Sequence, residues 1–168
     1  RSAGLAKQAG FSGVQIHGAH GYLVSQFLSP LHNQRQDRWG GSLEKRAHFV
    51  LEILKAIRAE VGAQFPVGIK MNSADFQRGG FTEDESMVVA EMLAGGGLDL
   101  LEISGGTYES PEMTGKNVRE SARQREAYFL RYAEQIRDRV KTPLMVTGGF
   151  RTSEGMADAV SSGAADIV

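Results

Sequence analysis

Short apolar runs alternate along the chain with longer stretches of helical periodicity. Residues 13–17, 66–72, 98–104, 143–147 and 165–168 read as strands, rich in Val, Ile and Leu and bounded by Gly or Pro. After the first run, Ala47, Val50, Leu54, Ile57 and Val61 recur at three- and four-residue spacing, which predicts one apolar stripe on a helix over 43–61 that Gly62 stops. Thr82-Glu83-Asp84-Glu85 then opens a second helix as a capping box, in which the Thr hydroxyl and the Glu carboxylate serve free backbone N–H groups. Gly95-Gly96-Gly97 end it. A third stripe runs through Phe129, Ala133, Ile136 and Val140, a short helix is expected over 153–162, and residues 3–9 read as a helix ahead of the first strand.

Strands alternating with helices imply parallel pairing with right-handed crossovers, an α/β fold. A doubly wound sheet buries both strand faces and favours continuous apolar runs. These strands alternate instead. Val14, Ile16, Val67, Ile69, Leu101 and Ile103 share one face, while Gln15, His17, Gly68, Lys70, Asn72, Glu102 and Ser104 share the other. A polar row converging from successive strands fits the interior of a (β/α)8 TIM barrel. Two intervals, Val14 to Val67 and Asp99 to Leu144, exceed the roughly 30 residues per unit of a barrel of about 250 residues. Their surplus, 18–42 and 105–125, follows the C-terminal ends of strands, where barrel enzymes carry their chemistry.

Composition narrows the partners. The chain has 168 residues, 41% hydrophobic and 23% charged, in keeping with one globular domain or most of one. Lys and Arg total 19 against 20 Asp and Glu, a net charge of -1, so no strong field draws nucleic acid or an anionic membrane. No apolar run approaches the roughly 18 residues of a membrane span, and no charged-then-apolar leader opens the chain. Cysteine is absent, which excludes disulfides, thiolate catalysis and zinc–thiolate or iron–sulfur sites within these residues and suits a cytoplasmic setting. The chain starts at Arg1 and its last four residues read as a strand with nothing beyond, so a piece of a longer polypeptide is expected. Glycine accounts for 21 residues, in pairs and triplets between apolar runs, which suggests tight turns or backbone-lined pockets.

The candidate chemistry sits at strand ends. His17-Gly18-Ala19-His20-Gly21-Tyr22 places two imidazoles and a phenol where the first strand leaves the sheet, a set suited to polarising a carbonyl oxygen and delivering a proton. The pair could instead brace a long loop. A metal site is not expected, since the helical H-E-x-x-H pattern and further ligands are lacking. Lys70 projects into the same mouth, where it could hold an anionic ligand, form a Schiff base, or pair with Glu102. Thr147-Gly148-Gly149-Phe150-Arg151 lies between a strand and a helix, and reads either as a phosphate cradle or as a tight turn.

The residues after Tyr22 carry a resemblance. They continue as Leu23-Val24-Ser25-Gln26-Phe27-Leu28-Ser29-Pro30, then Asn33-Gln34-Arg35-Gln36-Asp37-Arg38-Trp39-Gly40-Gly41-Ser42, with Arg46 beyond. This long motif resembles the Old Yellow Enzyme family of NAD(P)H:flavin oxidoreductases, above all its NADH:flavin oxidoreductase/NADH oxidase branch, and the whole chain aligns in order. The resemblance implies an FMN-binding (β/α)8 barrel, of which residues 1–168 form one partial domain from about strand four to strand eight. Strands one to three and the C-terminal end would lie outside it. It further implies that His17 and His20 bind the electron-withdrawing oxygen of the substrate and that Tyr22 supplies the proton. Lys70 matches a basic position, frequently Arg, that contacts flavin N1 and the C2 carbonyl, where lysine acts as a point charge without arginine's planar fork. Gly148 and Gly149 match part of the FMN phosphate loop. Arg35, Asp37, Gly40, Gly41 and Ser42 are expected to fold the long loop over the barrel rim.

The expected activity is hydride transfer from NADH or NADPH through FMN to an activated alkene, an enone or enoyl thioester. The expected partner is this small molecule, with neither nucleic acid nor membrane, and a homo-oligomer is left open. Two alternatives stand beside it: a phosphate-binding barrel lyase or isomerase using Lys70 as Schiff-base amine, and a piece inactive on its own because missing strands leave unpaired edges.

Overall fold

The computed structural model describes residues 1–107 and 129–168. Its elements run in the order α1 (Ser2–Gln8), β1 (Val14–Gly18), α2 (Leu23–Leu28), α3 (Leu43–Val61), β2 (Val67–Asn72), α4 (Glu83–Gly95), β3 (Leu100–Ser104), α5 (Leu130–Arg137), β4 (Leu144–Val146) and α6 (Ser153–Ser161). The four strands form one parallel sheet in chain order. Successive parallel neighbours, each reached through a helix, make this a partial (β/α)8 barrel.

Register fixes the two faces. Ile16, Ile69, Leu101 and Leu144 lie side by side across the sheet, as do Gly18, Met71, Ile103 and Val146. These apolar rows face the helices and, with Val50, Leu54 and Val61 of α3 and Ala133 and Ile136 of α5, make the core. On the opposite face the register sets His17 beside Lys70, Lys70 beside Glu102 and Asn72 beside Ser104, so the polar row expected from alternation is there. Met145 continues the row of His17, and Leu100 lies beside Gly68.

The helices stop and start as their ends dictate. Thr82 accepts from the Glu85 N–H at 3.2 Å and the Glu85 carboxylate accepts from the Thr82 N–H at 3.2 Å, the capping box read from the sequence. The same carboxylate also takes a guanidinium hydrogen bond from Arg46, which is 3% exposed on the first turn of α3. Arg46 further donates to the carbonyls of Gly41 and Leu28, so one side chain clamps α2, the following loop and α4 to α3. At α6 the cap is Thr152, whose hydroxyl accepts from the Gly155 N–H at 3.0 Å.

Three expectations change. Residues 165–168 form no strand: they make a single bridge, Met145 with Ile167, because the Asp166 carboxylate rather than a backbone carbonyl takes the Leu144 N–H, at 2.7 Å. The long connection 18–42 contains the helix α2, whose Val24 and Leu28 are buried although its six residues are too few to announce a period. The third strand begins at Leu100 rather than 98, since the Asp99 carboxylate takes the Val67 N–H at 2.7 Å. Most of the connection 105–125 lies outside the described residues.

Candidate active site

The C-terminal end of β1 delivers the first group. His17 is exposed on the interior face and His20 follows one tight turn later. His20 has φ 60°, a left-handed conformation unusual for a residue with a side chain. Two contacts hold it there: its N–H donates to Asn72 Oδ1 at 3.0 Å, and it bridges to Thr107. Tyr22 is 45% exposed and caps α2, which starts immediately after it. The three rings meet: His17 and Tyr22 centroids lie 4.9 Å apart and His17 and His20 5.5 Å apart.

Asn72 is the keystone of this turn. It is 1% exposed and its amide donates to the Gly106 carbonyl at 3.0 Å and to Asp75 at 3.3 Å while its oxygen receives His20. Ser104, its register neighbour, is fully buried and its hydroxyl lies 2.9 Å from His20 Nε2. Burial, with the positive charge of Lys70 and then His17 adding to it, pushes the His20 imidazole down to about 4, so it is neutral near pH 7.

Lys70 stands beside His17 on β2, and its Nζ lies 2.9 Å from Glu102 Oε1. Glu102 also accepts from Gln15 Nε2 at 2.7 Å and from the Thr147 hydroxyl at 2.5 Å. Burial alone would raise its carboxyl, but the hydrogen bonds from Thr147, Lys70 and Gln15 outweigh it and hold the carboxyl below its usual range. An ammonium has three donors and Glu102 engages one, so Lys70 keeps donors for a ligand. Thr147 links this network to the loop after β4, where Gly148 and Gly149 have φ 118° and 82°. Both values lie in the left-handed region, which glycine adopts without steric cost.

The structure therefore brings His17, His20, Tyr22 and Lys70 together, with Gly148 and Gly149 at the same strand ends. This donor set fits an FMN: a cation for the electron-rich edge of its ring and glycine N–H groups ahead of a capped helix for its phosphate. From the sequence, Gln15, Asn72 and Ser104 are expected only as members of the polar face, and Thr147 only as the start of the loop 147–151. Their signal was phase, since Gln15, Asn72 and Ser104 alternate in step with His17 and Lys70. Among the described residues, no three His, Asp or Glu side chains could share a metal ion, and no helix is long and apolar enough to cross a membrane.

The motif after Tyr22 divides into local and anchoring parts. Arg35 and Asp37 pair with each other at the surface, and Asp37 also accepts from the Trp39 N–H at 3.0 Å. Asn33 and Arg46 tie the loop to the scaffold: the Asn33 amide donates at 2.7 Å to the carbonyls of Phe27 and Trp39. A Cβ at Gly40 would lie 2.5 Å from the Arg35 carbonyl, so only glycine fits.

A parallel strand series with polar groups on the inner face and at the strand ends defines an α/β-barrel domain with a candidate ligand site at the C-terminal ends of its strands. The chain belongs to the NADH:flavin oxidoreductase / NADH oxidase family, whose model matches residues 1–168. It is 43% identical over 173 residues to the NADH-dependent flavin oxidoreductase iccE of Talaromyces variabilis, covering 100% of this chain and 42% of that protein. It is 37% identical to the NADH oxidase of Thermoanaerobacter brockii, covering 97% of this chain and 24% of that one. Among solved structures, a 2-naphthoyl-CoA reductase in complex with 2-naphthoyl-CoA superposes with a TM-score of 0.90 at 36% identity, over 99% of this chain and 25% of that one. The chain thus spans less than half the length of these relatives.

Proposed function

We propose that this chain is the substrate-facing part of an FMN-dependent NAD(P)H oxidoreductase of the ene-reductase type, acting on an activated alkene such as an enone or enoyl thioester. Bound FMN would supply the relay of hydride from the nicotinamide to the alkene β-carbon. His17 and the neutral His20 donate hydrogen bonds to the substrate's carbonyl oxygen, drawing electron density from the β-carbon. Tyr22, against the His17 ring, gives its phenolic proton to the α-carbon. Lys70 presents its spare N–H donors to the flavin ring, and Gly148 and Gly149 present N–H groups to the phosphate. The observation that carries the reading is the meeting of two imidazoles and an exposed phenol at one strand end, beside a lysine held by a buried carboxylate.

Names among the relatives favour NADH as reductant and unsaturated acyl compounds as substrates: one is a cinnamate reductase of Clostridium sporogenes, 33% identical. The Schiff-base lyase reading loses support, because Lys70 Nζ is engaged by Glu102 at 2.9 Å and the chain belongs to a flavin oxidoreductase family. Replacing Tyr22 by Phe in the full-length holoenzyme tests the assignment. The half-reaction with alkene should slow by about a hundredfold or more while flavin reduction by NADH persists. Unchanged alkene turnover removes Tyr22 as proton donor.

A further inference from the structure

His20 has two ring nitrogens, and the fold decides which of them a ligand can meet. Nε2 is engaged by the Ser104 hydroxyl at 2.9 Å, while Nδ1 has no partner among the described residues. A neutral imidazole carries a single N–H. If that hydrogen sits on Nε2, it is spent on Ser104, and Nδ1 offers a lone pair that repels a carbonyl oxygen. If it sits on Nδ1, the ring can donate to the oxygen, and Nε2 must accept from the Ser104 O–H.

Ser104 is well placed to enforce this choice. It is fully buried at the end of β3, so its hydroxyl cannot exchange His20 for bulk water without cost. The backbone of His20, in turn, is held at φ 60° with its N–H on the Asn72 side chain from the neighbouring strand, which presents the ring to Ser104. Backbone and ring are thus anchored by adjacent residues of one register pair, Asn72 and Ser104.

We propose that Ser104 is a positioning residue which, by donating to Nε2, holds His20 in the Nδ1–H tautomer and so makes it a donor to the substrate oxygen. The inference rests on the substrate role given to His20 above. Selectively 15N-histidine-labelled full-length holoprotein supplies the test, with His20 assigned by the resonances lost in His20→Asn and its tautomer read from long-range 1H–15N correlations near pH 7. The wild-type ring should show the Nδ1–H pattern. In Ser104→Ala, where Nε2 has lost its donor, the Nε2–H form should gain population and KM for the alkene should rise, while flavin reduction by NADH is unchanged. An Nε2–H pattern in the wild type overturns the proposal, as does a tautomer that Ser104→Ala leaves unaltered. Flavin content and turnover of the same sample read the proposed function separately: their absence overturns that reading, whereas an Nε2–H His20 in an active yellow enzyme overturns this one alone.

Discussion

His20 reaches the site on a left-handed backbone, and such a conformation costs a non-glycine residue on the order of 1 kcal/mol or more unless its surroundings hold it. Asn72 and the bridge to Thr107 do so, and the burial of the ring beside Ser104 leaves a pH signature. The imidazole lies at about 4 in the folded chain against an ordinary 6.5, so the unfolded chain binds more protons between these values. The stability this neutral ring confers is complete above about 6.5 and is lost as pH falls toward 4. Denaturant midpoints of the full-length protein measured across that window should decline with acid, and His20→Asn, whose side chain tolerates the left-handed backbone, should flatten the decline. A slope identical in the two proteins would contradict the assignment. Glu102 makes a second residue-scale prediction. Lys70→Met takes one charged donor from the buried Glu102 carboxylate and leaves it those of Thr147 and Gln15, so it should cost about 2 kcal/mol in the same unfolding measurement. His17, His20, Tyr22 and Lys70 were legible because they are chemically conspicuous at strand ends. Asn72 and Ser104 were visible only as members of a polar face, since nothing in a linear sequence says that two strands will align them beneath the same imidazole.

Elements are joined here by capping groups that do more than cap. Glu85 closes the capping box of α4 and accepts Arg46 from α3, while Arg46 also holds the carbonyls at the end of α2 and in the loop after it. Thr82→Ala removes one cap bond and should cost about 1 kcal/mol. Arg46→Met removes the clamp from three segments and leaves a carboxylate partly buried, so it should cost about 3 kcal/mol or more. Thermal or denaturant unfolding ranks the two, and equal effects would show that the clamp contributes no more than the cap. The same elements show how far periodicity reads. Of the stripe Ala47, Val50, Leu54, Ile57 and Val61, all are buried as spaced except Ile57, which packs partly buried against the same core, and Phe129, Ala133, Ile136 and Val140 are buried likewise. The helix α2 escaped notice because six residues complete too few turns to display a period, and 165–168 were overread because apolar residues at a strand position do not reveal a side chain that takes over a ladder bond.

For the whole molecule, the sheet is a consecutive parallel run in which β1 pairs only with β2 among the described residues, and the interior face carries exposed Gln15 and His17. A strand with one bare edge is a template for association. Residues 1–168 expressed alone should therefore elute as aggregate in size-exclusion chromatography and retain FMN far less firmly than the full-length protein; a monodisperse piece that holds FMN equally well would contradict this. Alternation of polar and apolar residues made the barrel legible, because a doubly wound sheet would have buried both strand faces. The central claim is that the row on that inner face and the strand ends beside it serve a flavin that reduces an activated alkene. Anaerobic titration of the full-length protein tests it most directly: as purified it should show flavin absorption bands, NADH should bleach them, and an enone added without oxygen should restore them. A colourless protein, or a bleached flavin that an enone leaves reduced, would contradict the account.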